Sequence, residues 1–194
     1  MVDRTTMESV FDADRLVVLD AERLTAVPHG TTRAYLRDIG LPDQLGSWFR
    51  LARGWDEGDV TIGGENFRRL SEWYPGRPYD MAHWLNIGGI GDDDIAVDVA
   101  SGTVYALPEN GPTPCVLNTD LQRFASFLHL LEVERLEYDG EAATAAGLDE
   151  YDPEGAAERL LAFMRGSDPL APLDDPESVW CKVLRRVESG MAYQ

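Results

Sequence analysis

The chain has 194 residues, of which 44% are hydrophobic, enough for one ordinary soluble domain with a sizeable core. Its 35 acidic and 17 basic side chains give a net charge of −18. This charge disfavours nucleic acid and anionic membranes as partners, because phosphate binding needs Lys and Arg. It favours a basic protein partner through electrostatic steering, and it is equally well explained by solubility alone.

The sequence contains no signal for secretion or for crossing a membrane. No apolar run approaches the roughly 20 residues that a spanning helix needs, and residues 1–6 lack the basic and apolar regions of a secretory leader. Cys115 and Cys181 have no neighbouring Cys or His, so they form no metal-binding or redox pattern. We therefore expect a reduced, cytoplasmic protein without a cofactor.

The first 80 residues predict short helices and strands that are separated by glycine and proline breaks. Each later helix follows a residue that can cap it, and a glycine before a proline ends the third. Helices are predicted at residues 6–11, from a cap at Asp20 to residue 24, and from a cap at Thr31 or Thr32 to about residue 39. Strands are predicted at residues 16–19 and 48–51, and residues 66–73 fit either a helix or a strand.

The stretch at residues 84–107 organises the rest of the chain. Three β-prone runs are separated by two polar turns, and in the second run apolar residues alternate with Ala96 and Asp98, the period of a strand with one buried face. Gly102 supplies the left-handed backbone that a short hairpin connection needs. We predict a three-stranded antiparallel meander at the centre of a sheet.

The second half predicts a last strand followed by helices. Apolar residues recur at helical spacing after residue 120, and eight acidic side chains without a base occupy residues 136–158, which we interpret as a solvated connection. The predicted elements are a strand at 115–117, a helix from a cap at Asn118 or Thr119 to about residue 136, a helix that begins at Pro153 after Asp152, and a last helix that begins at Pro176 after Asp175.

These elements predict one α+β domain in which helices cover a mostly antiparallel sheet with the three-stranded meander at its centre. The domain spans residues 1–194, and residues 137–194 form a helical C-terminal extension that packs on it. Charge is uneven within it: residues 1–80 carry 14 acidic and 10 basic side chains, whereas residues 81–194 carry 21 and 7.

The acidic and glycine-rich turns near the meander are the first candidate sites. Asp92, Asp93 and Asp94, with Asp98 beyond them, offer the oxygen ligands that Ca²⁺ or Mg²⁺ prefers, but their spacing does not match an EF-hand loop. Turn chemistry explains them better, because Asp accepts hydrogen bonds from nearby backbone N–H groups. We expect a bulge or a close backbone approach, rather than a phosphate cradle, at Gly88 and Gly89, which do not open a helix.

Four segments in this order resemble the SUKH superfamily, which includes Smi1/Knr4-like proteins, and the order is closest to the SUKH-4 group. The segments are residues 36–42 (LRDIGLP), 85–91 (LNIGGIG), 95–105 (IAVDVASGTVY) and 117–124 (LNTDLQRF), so the match covers roughly residues 30–135. The residues that we assign to this structural motif are Trp84, Gly88, Gly89, Asp98, Gly102 and Asn118.

The resemblance implies an α+β fold without catalytic residues and an immunity protein that binds a cognate bacterial toxin. Such toxins often act on nucleic acid and tend to present basic clefts, which an acidic protein can occlude. Alternatives are a metal-dependent or small-molecule enzyme that uses the carboxylates from Asp92 to Asp98, and a Smi1/Knr4-like regulatory scaffold. We expect toxin contacts in the acidic tract, residues 137–152, through Glu137, Asp139, Glu141, Asp149, Glu150 and Asp152, with Asp92, Asp93 and Asp94 as the second choice.

Overall fold

The computed structural model of the chain describes residues 2–55, 60–64, 67, 81–108 and 113–192. Helices accompany a two-stranded and a five-stranded antiparallel sheet, which confirms the predicted α+β class. The element predicted at 66–73 lies outside the described residues except for Phe67. In the described part of the chain, no helix is long and apolar enough to cross a membrane.

Each strand of the larger sheet runs antiparallel to its neighbours, and the strands pair in the order β3-β4-β5-β6-β7. The three runs predicted within residues 84–107 become β4, β5 and β6 of this sheet, and the strand predicted at 115–117 becomes β7. The strands are β1 (Leu16–Val17), β2 (Leu41–Pro42), β3 (Arg50–Leu51), β4 (Trp84–Ile90), β5 (Asp93–Asp98), β6 (Val104–Leu107) and β7 (Cys115–Asn118), with β1 and β2 forming the smaller sheet.

The centre of the larger sheet is covered on both faces, as the successive side chains of β5 show, which point in opposite directions. Ile95 and Val97 of β5 belong to the main core, which the helices also line. Ala96, between them, belongs to a smaller cluster with Phe67, Met81 and Trp84. The period-two alternation therefore predicts which side chains of β5 share a face. It predicts only one buried face, however, and the structure covers both.

Glycines allow two close approaches that shape this sheet. Gly88, with φ of 153°, lies at a β-bulge in β4, where a Cβ atom would come within 2.2 Å of the Arg50 carbonyl oxygen. Gly102 has φ of 87°, and a Cβ there would come within 2.4 Å of the His29 ring. Both glycines are thus required by backbone geometry and by packing, and the bulge predicted for Gly88 is confirmed.

The helices begin at caps that the sequence predicts only in part. Asp20 and Asp152 cap the helices that follow them, as predicted, by accepting hydrogen bonds from Arg23 N and Gly155 N. The helices are α1 (Arg4–Glu8), α2 (Ala21–Leu24), α3 (Gly30–Asp38), α4 (Leu121–Val133), α5 (Arg135–Tyr138), α6 (Gly140–Ala145), α7 (Pro153–Ser167) and α8 (Val179–Glu188), with 3₁₀ turns at Ala13–Arg15 and Met81–His83.

Three predicted caps are wrong, each because the predicted residue has another partner. His29 caps α3, since Thr32 lies inside the first turn and bonds the His29 ring. Asp120 caps α4, and Ser178 caps α8. Asn118 and Thr119 instead bond Asp168, and Asp175 accepts from Glu177 N in the turn before α8.

Other predicted boundaries shift by a few residues or split. The first helix begins at Arg4 rather than residue 6, and Asp3 caps it. The helix predicted to reach residue 136 ends at Val133, because Glu134 departs from helical geometry with ψ of 0°, and a separate short helix, α5, begins at Arg135. The connection predicted after residue 136 contains α5 and α6 instead of only solvated chain.

Aromatic side chains join α4 and α8 to each other and to the residue before β3. The Trp180 ring of α8 lies 5.3 Å from the Phe127 ring and 5.9 Å from the Phe124 ring, both of α4. Phe124 also contacts Phe49 edge to face at 5.5 Å. The buried stripe predicted for the last helix is confirmed, because all of its members are buried: Val179, Trp180, Val183, Leu184 and Val187.

Candidate partner-binding surface

The acidic tract is folded into short elements, and not all of its carboxylates reach solvent. Asp139 is only 5% exposed. Its Oδ1 accepts from Ala142 N at 3.0 Å, which caps α6, and its Oδ2 accepts from Arg135 Nε at 3.0 Å. Asp139, which the sequence places among the contact residues, is therefore part of the folded interior.

A small ionic cluster holds this part of the tract to the core. Arg135 bridges Asp139 and Glu132, whose Oε2 lies 3.4 Å from Arg135 Nη1. Desolvation raises the pKa of Glu132 although Arg135 acts in the opposite direction. Next to this cluster, Trp48 Nε1 donates to the Tyr138 hydroxyl at 2.8 Å, and that hydroxyl donates to the Leu131 carbonyl. The first half of the tract is thus fixed by buried polar contacts.

The second half of the tract is exposed. Residues 144–152 are all exposed, and they include Asp149, Glu150 and Asp152. Glu141, Asp149 and Glu150 form no salt bridge with any residue that the structure describes. Asp152 has an ion pair of 3.7 Å with Arg159 in addition to its role as the cap of α7. Most of the negative charge here is therefore free to interact with a partner.

The second predicted surface, at Asp92, Asp93 and Asp94, is divided by the sheet. Asp92 lies in the exposed turn, but Asp93 and Asp94 already belong to β5, which corrects the prediction that all three form a turn. Asp93 is buried with Lys182 Nζ 3.4 Å from its Oδ2, whereas Asp94 points to the opposite face. Partial desolvation, with a smaller contribution from Asp93, raises the pKa of Asp94 against the effect of Arg50.

Asp98 performs the turn chemistry that the sequence predicts. Its Oδ1 accepts from Ala100 N at 2.9 Å and its Oδ2 from Ser101 Oγ at 2.8 Å. The carboxylates from Asp92 to Asp98 therefore do not converge on one point. Among the described residues, no group of three or more His, Cys, Asp and Glu side chains is placed to hold a metal ion.

Sequence reasoning missed Asp168, an acidic residue that accepts several hydrogen bonds. It is completely buried after α7, and its carboxylate accepts from Thr119 Oγ1 at 2.6 Å, Thr119 N at 2.8 Å and Asn118 Nδ2 at 3.2 Å. Asn118 Oδ1 in turn accepts from Trp180 Nε1 at 3.1 Å. This network joins β7, α7 and α8, and it explains why the motif residue Asn118 is buried.

The family model described as SUKH-4 immunity protein matches residues 2–186, which is essentially the whole chain. The chain belongs to the SUKH-4 immunity protein family. This match confirms the resemblance that the four sequence segments indicate. It also extends the similarity beyond residues 30–135, to α7 and α8. No curated protein and no solved structure matches the chain significantly.

Membership of the SUKH-4 family indicates a protein that neutralises a toxin by binding it. The structure leaves exposed four acids in α6 and the α6–α7 connection, Glu141, Asp149, Glu150 and Asp152, and it half-buries Glu137 in α5. It separates Asp139 and Asp93 from that surface. The sequence carries a signal for the burial of Asp139, because Arg135 lies four residues before it, a spacing at which oppositely charged side chains can pair.

Proposed function

We propose that this SUKH-4 family member neutralises a cognate bacterial toxin that acts on nucleic acid, and that it does so by occluding the toxin rather than by catalysis. Family membership supports toxin binding. The charge supports the rest of the proposal, since a cleft that binds phosphates is basic, and a protein of net charge −18 is complementary to it.

The exposed part of the acidic tract is the proposed contact surface. Residues 136–158 contain eight acidic side chains and no basic one, which is the most one-sided stretch of the chain. The acids offered to the toxin are Glu137, Glu141, Asp149, Glu150 and Asp152, with Asp92 and Asp94 as a second surface. The observation that carries this assignment is that Asp149 and Glu150 are exposed and without a salt bridge among the described residues.

The proposal is tested by co-expression with the product of the adjacent gene. We expect that product to be toxic alone, to lose its toxicity when this chain is present, and to co-purify with it in a stoichiometric complex. A toxic product that neither binds nor is neutralised would contradict the proposal. Capture of several partners in small and variable amounts would support the regulatory-scaffold alternative instead.

The contact surface is tested by reversing charge. Replacing Glu141, Asp149 and Glu150 together by Lys should lower the association rate constant and flatten its salt dependence, because steering acts on encounter. A matched control makes the same charge change at three exposed acids outside the tract, Asp14, Glu22 and Glu177. Equal effects of the two triple variants would show that net charge, and not this surface, guides the encounter.

A further inference from the structure

Two large apolar side chains are exposed inside the acidic tract. Leu148 is 43% exposed and Tyr151 is 49% exposed, and they lie on either side of Asp149 and Glu150. Single exposed apolar residues are ordinary on a protein surface and need no explanation. Here, however, both lie within the stretch that carries the proposed contact acids, so their role in binding can be argued from their surroundings.

The backbone that presents these side chains is fixed at both ends. Before it, Gly147 adopts φ of 78° and ends α6, and Leu148 N donates to the Ala143 carbonyl at 2.9 Å. After it, Asp152 caps α7 by accepting from Gly155 N at 3.0 Å. The glycine Gly147 and the N-cap Asp152 leave only four residues between two defined helix ends. Little conformational freedom therefore remains to be lost on binding.

Tyr151 is also positioned by its own packing. Its ring lies over Gly140, where a Cβ atom would come within 3.1 Å of the Tyr151 hydroxyl oxygen. The absence of a side chain at position 140 thus makes room for one side of the ring, while about half of the residue remains exposed. A rigid aromatic ring with a polar end is the kind of side chain that most often dominates protein interfaces.

The acidic side chains around Leu148 and Tyr151 determine which kind of partner surface can bind them. Glu141, Asp149, Glu150 and Asp152 are exposed near Leu148 and Tyr151, and residues 136–158 contain no base. An acidic partner surface would be repelled, and a purely apolar one would leave these carboxylates desolvated and unpaired. The complementary surface is an apolar pocket with Arg and Lys at its rim.

We propose that Leu148 and Tyr151 are the anchors of the toxin interface, inserting into an apolar pocket of the toxin whose rim of Arg and Lys pairs with the surrounding acids. This inference rests on the proposed function, and it adds that the acidic and the apolar side chains of the tract have different roles in binding. The carboxylates accelerate encounter, whereas the two apolar side chains slow dissociation, because burial of apolar anchors acts after contact is made.

The test uses the full chain and the toxin purified from the co-expressed complex, with binding followed by surface plasmon resonance. Leu148→Ala and Tyr151→Ala should each raise the dissociation constant by about 30-fold or more, mainly through faster dissociation, and should leave its salt dependence unchanged. Tyr151→Phe, which keeps the ring, should bind within a few-fold of the wild type. All variants should keep the wild-type melting temperature within about 5 °C, because Leu148 and Tyr151 are nearly half exposed and do not belong to the buried core.

Leu170→Ala is the matched control. Leu170 is 66% exposed and lies just beyond the C-terminal end of α7, whereas Tyr151 precedes its N-terminal end. A helix of this length separates the two positions by roughly 20 Å. The control should bind like the wild type, and equal losses from Leu170→Ala and Leu148→Ala would overturn the anchor proposal.

The two levels of the proposal fail in different ways. If the wild type binds and neutralises the toxin while Leu148→Ala and Tyr151→Ala bind within about threefold of it, the anchors are refuted and the function stands. If the wild-type chain does not bind the toxin at all, the proposed function itself is refuted.

Discussion

Two groups of acidic residues in this protein have the same chemistry and opposite surroundings. Asp139 and Asp168 are buried, and donors from neighbouring elements surround each carboxylate. Asp149 and Glu150 are exposed and have no salt bridge with a described residue. A net charge of −18 therefore does not by itself locate a binding surface, because part of that charge is used to assemble the fold.

The comparison also explains the order along the tract. The buried acid of the tract, Asp139, comes early, where α5 and α6 are held to the core, and the exposed acids follow it in α6 and the α6–α7 connection, whereas Asp168 lies beyond the tract. A partner that binds the exposed group does not disturb the buried group, so stability and recognition can be changed separately. The effect of a substitution in one group can therefore be compared with that of a matching substitution in the other.

The largest effect is expected at Asp168. Replacing it by Ala leaves Thr119 N, Thr119 Oγ1 and Asn118 Nδ2 without their buried acceptor, which should lower the free energy of unfolding by about 3–5 kcal/mol. Urea unfolding followed by Trp fluorescence measures the change, and Trp180 reports on the same network through Asn118.

Asp149→Ala is the exposed counterpart, and it should change stability by no more than about 0.5 kcal/mol. If Asp168→Ala unfolds at the same urea concentration as the wild type, the buried network does not hold α7 and α8 to β7. A large loss of stability in Asp149→Ala would show that the exposed acids also stabilise the fold, and it would remove the distinction between the two groups.

Local patterns predict much of this fold because they depend on neighbouring residues alone. β-prone runs between polar turns predict β4, β5 and β6, alternation predicts the faces of β5, and apolar spacing predicts the buried stripe of α8. Gly88 and Gly102 are correctly assigned to close backbone approach and to left-handed geometry. In each case the physical cause lies within a few residues, so the sequence contains it directly.

Contacts between distant residues explain what the sequence does not predict. Asn118 and Thr119 are good caps by composition, but Asp168, about fifty residues away, recruits their side chains and leaves Asp120 to cap α4. The burial of Asp139 likewise depends on how α5 packs on the core through Tyr138 and Trp48. The acidic tract is predicted as one exposed run, and only tertiary packing divides it.

A smaller effect is expected at Asp139. Asp139→Ala removes the cap of α6 and leaves Arg135 with Glu132 as its remaining partner, which should lower the free energy of unfolding by about 2 kcal/mol. Toxin affinity should change less than stability does, because this carboxylate is buried. The measurements are urea unfolding and surface plasmon resonance, and loss of affinity without loss of stability would place Asp139 on the contact surface after all.

The smallest effect is a dependence on pH at Glu132. Desolvation raises the pKa of this buried carboxyl in the folded state, so the folded protein holds the proton more tightly than the unfolded chain does. The contribution of Glu132 to stability therefore falls as the pH rises from the ordinary Glu value, about 4.3, through the raised folded value. Glu132→Gln cannot ionise and lacks this fall, although it loses the ion pair with Arg135.

The stability of the wild type relative to Glu132→Gln should consequently decrease between about pH 4 and pH 7, whatever pH-independent offset the substitution itself adds, because the ion pair with Arg135 forms only as Glu132 ionises and already contributes to the shifted pKa. Every other titrating group is common to both proteins and cancels in that difference, apart from neighbours coupled to Glu132. Urea unfolding of both proteins across this range measures the slope. A difference that grows with pH would mean that Arg135 overcomes desolvation, so that the buried carboxylates stabilise the fold through their charge as well as through their hydrogen bonds.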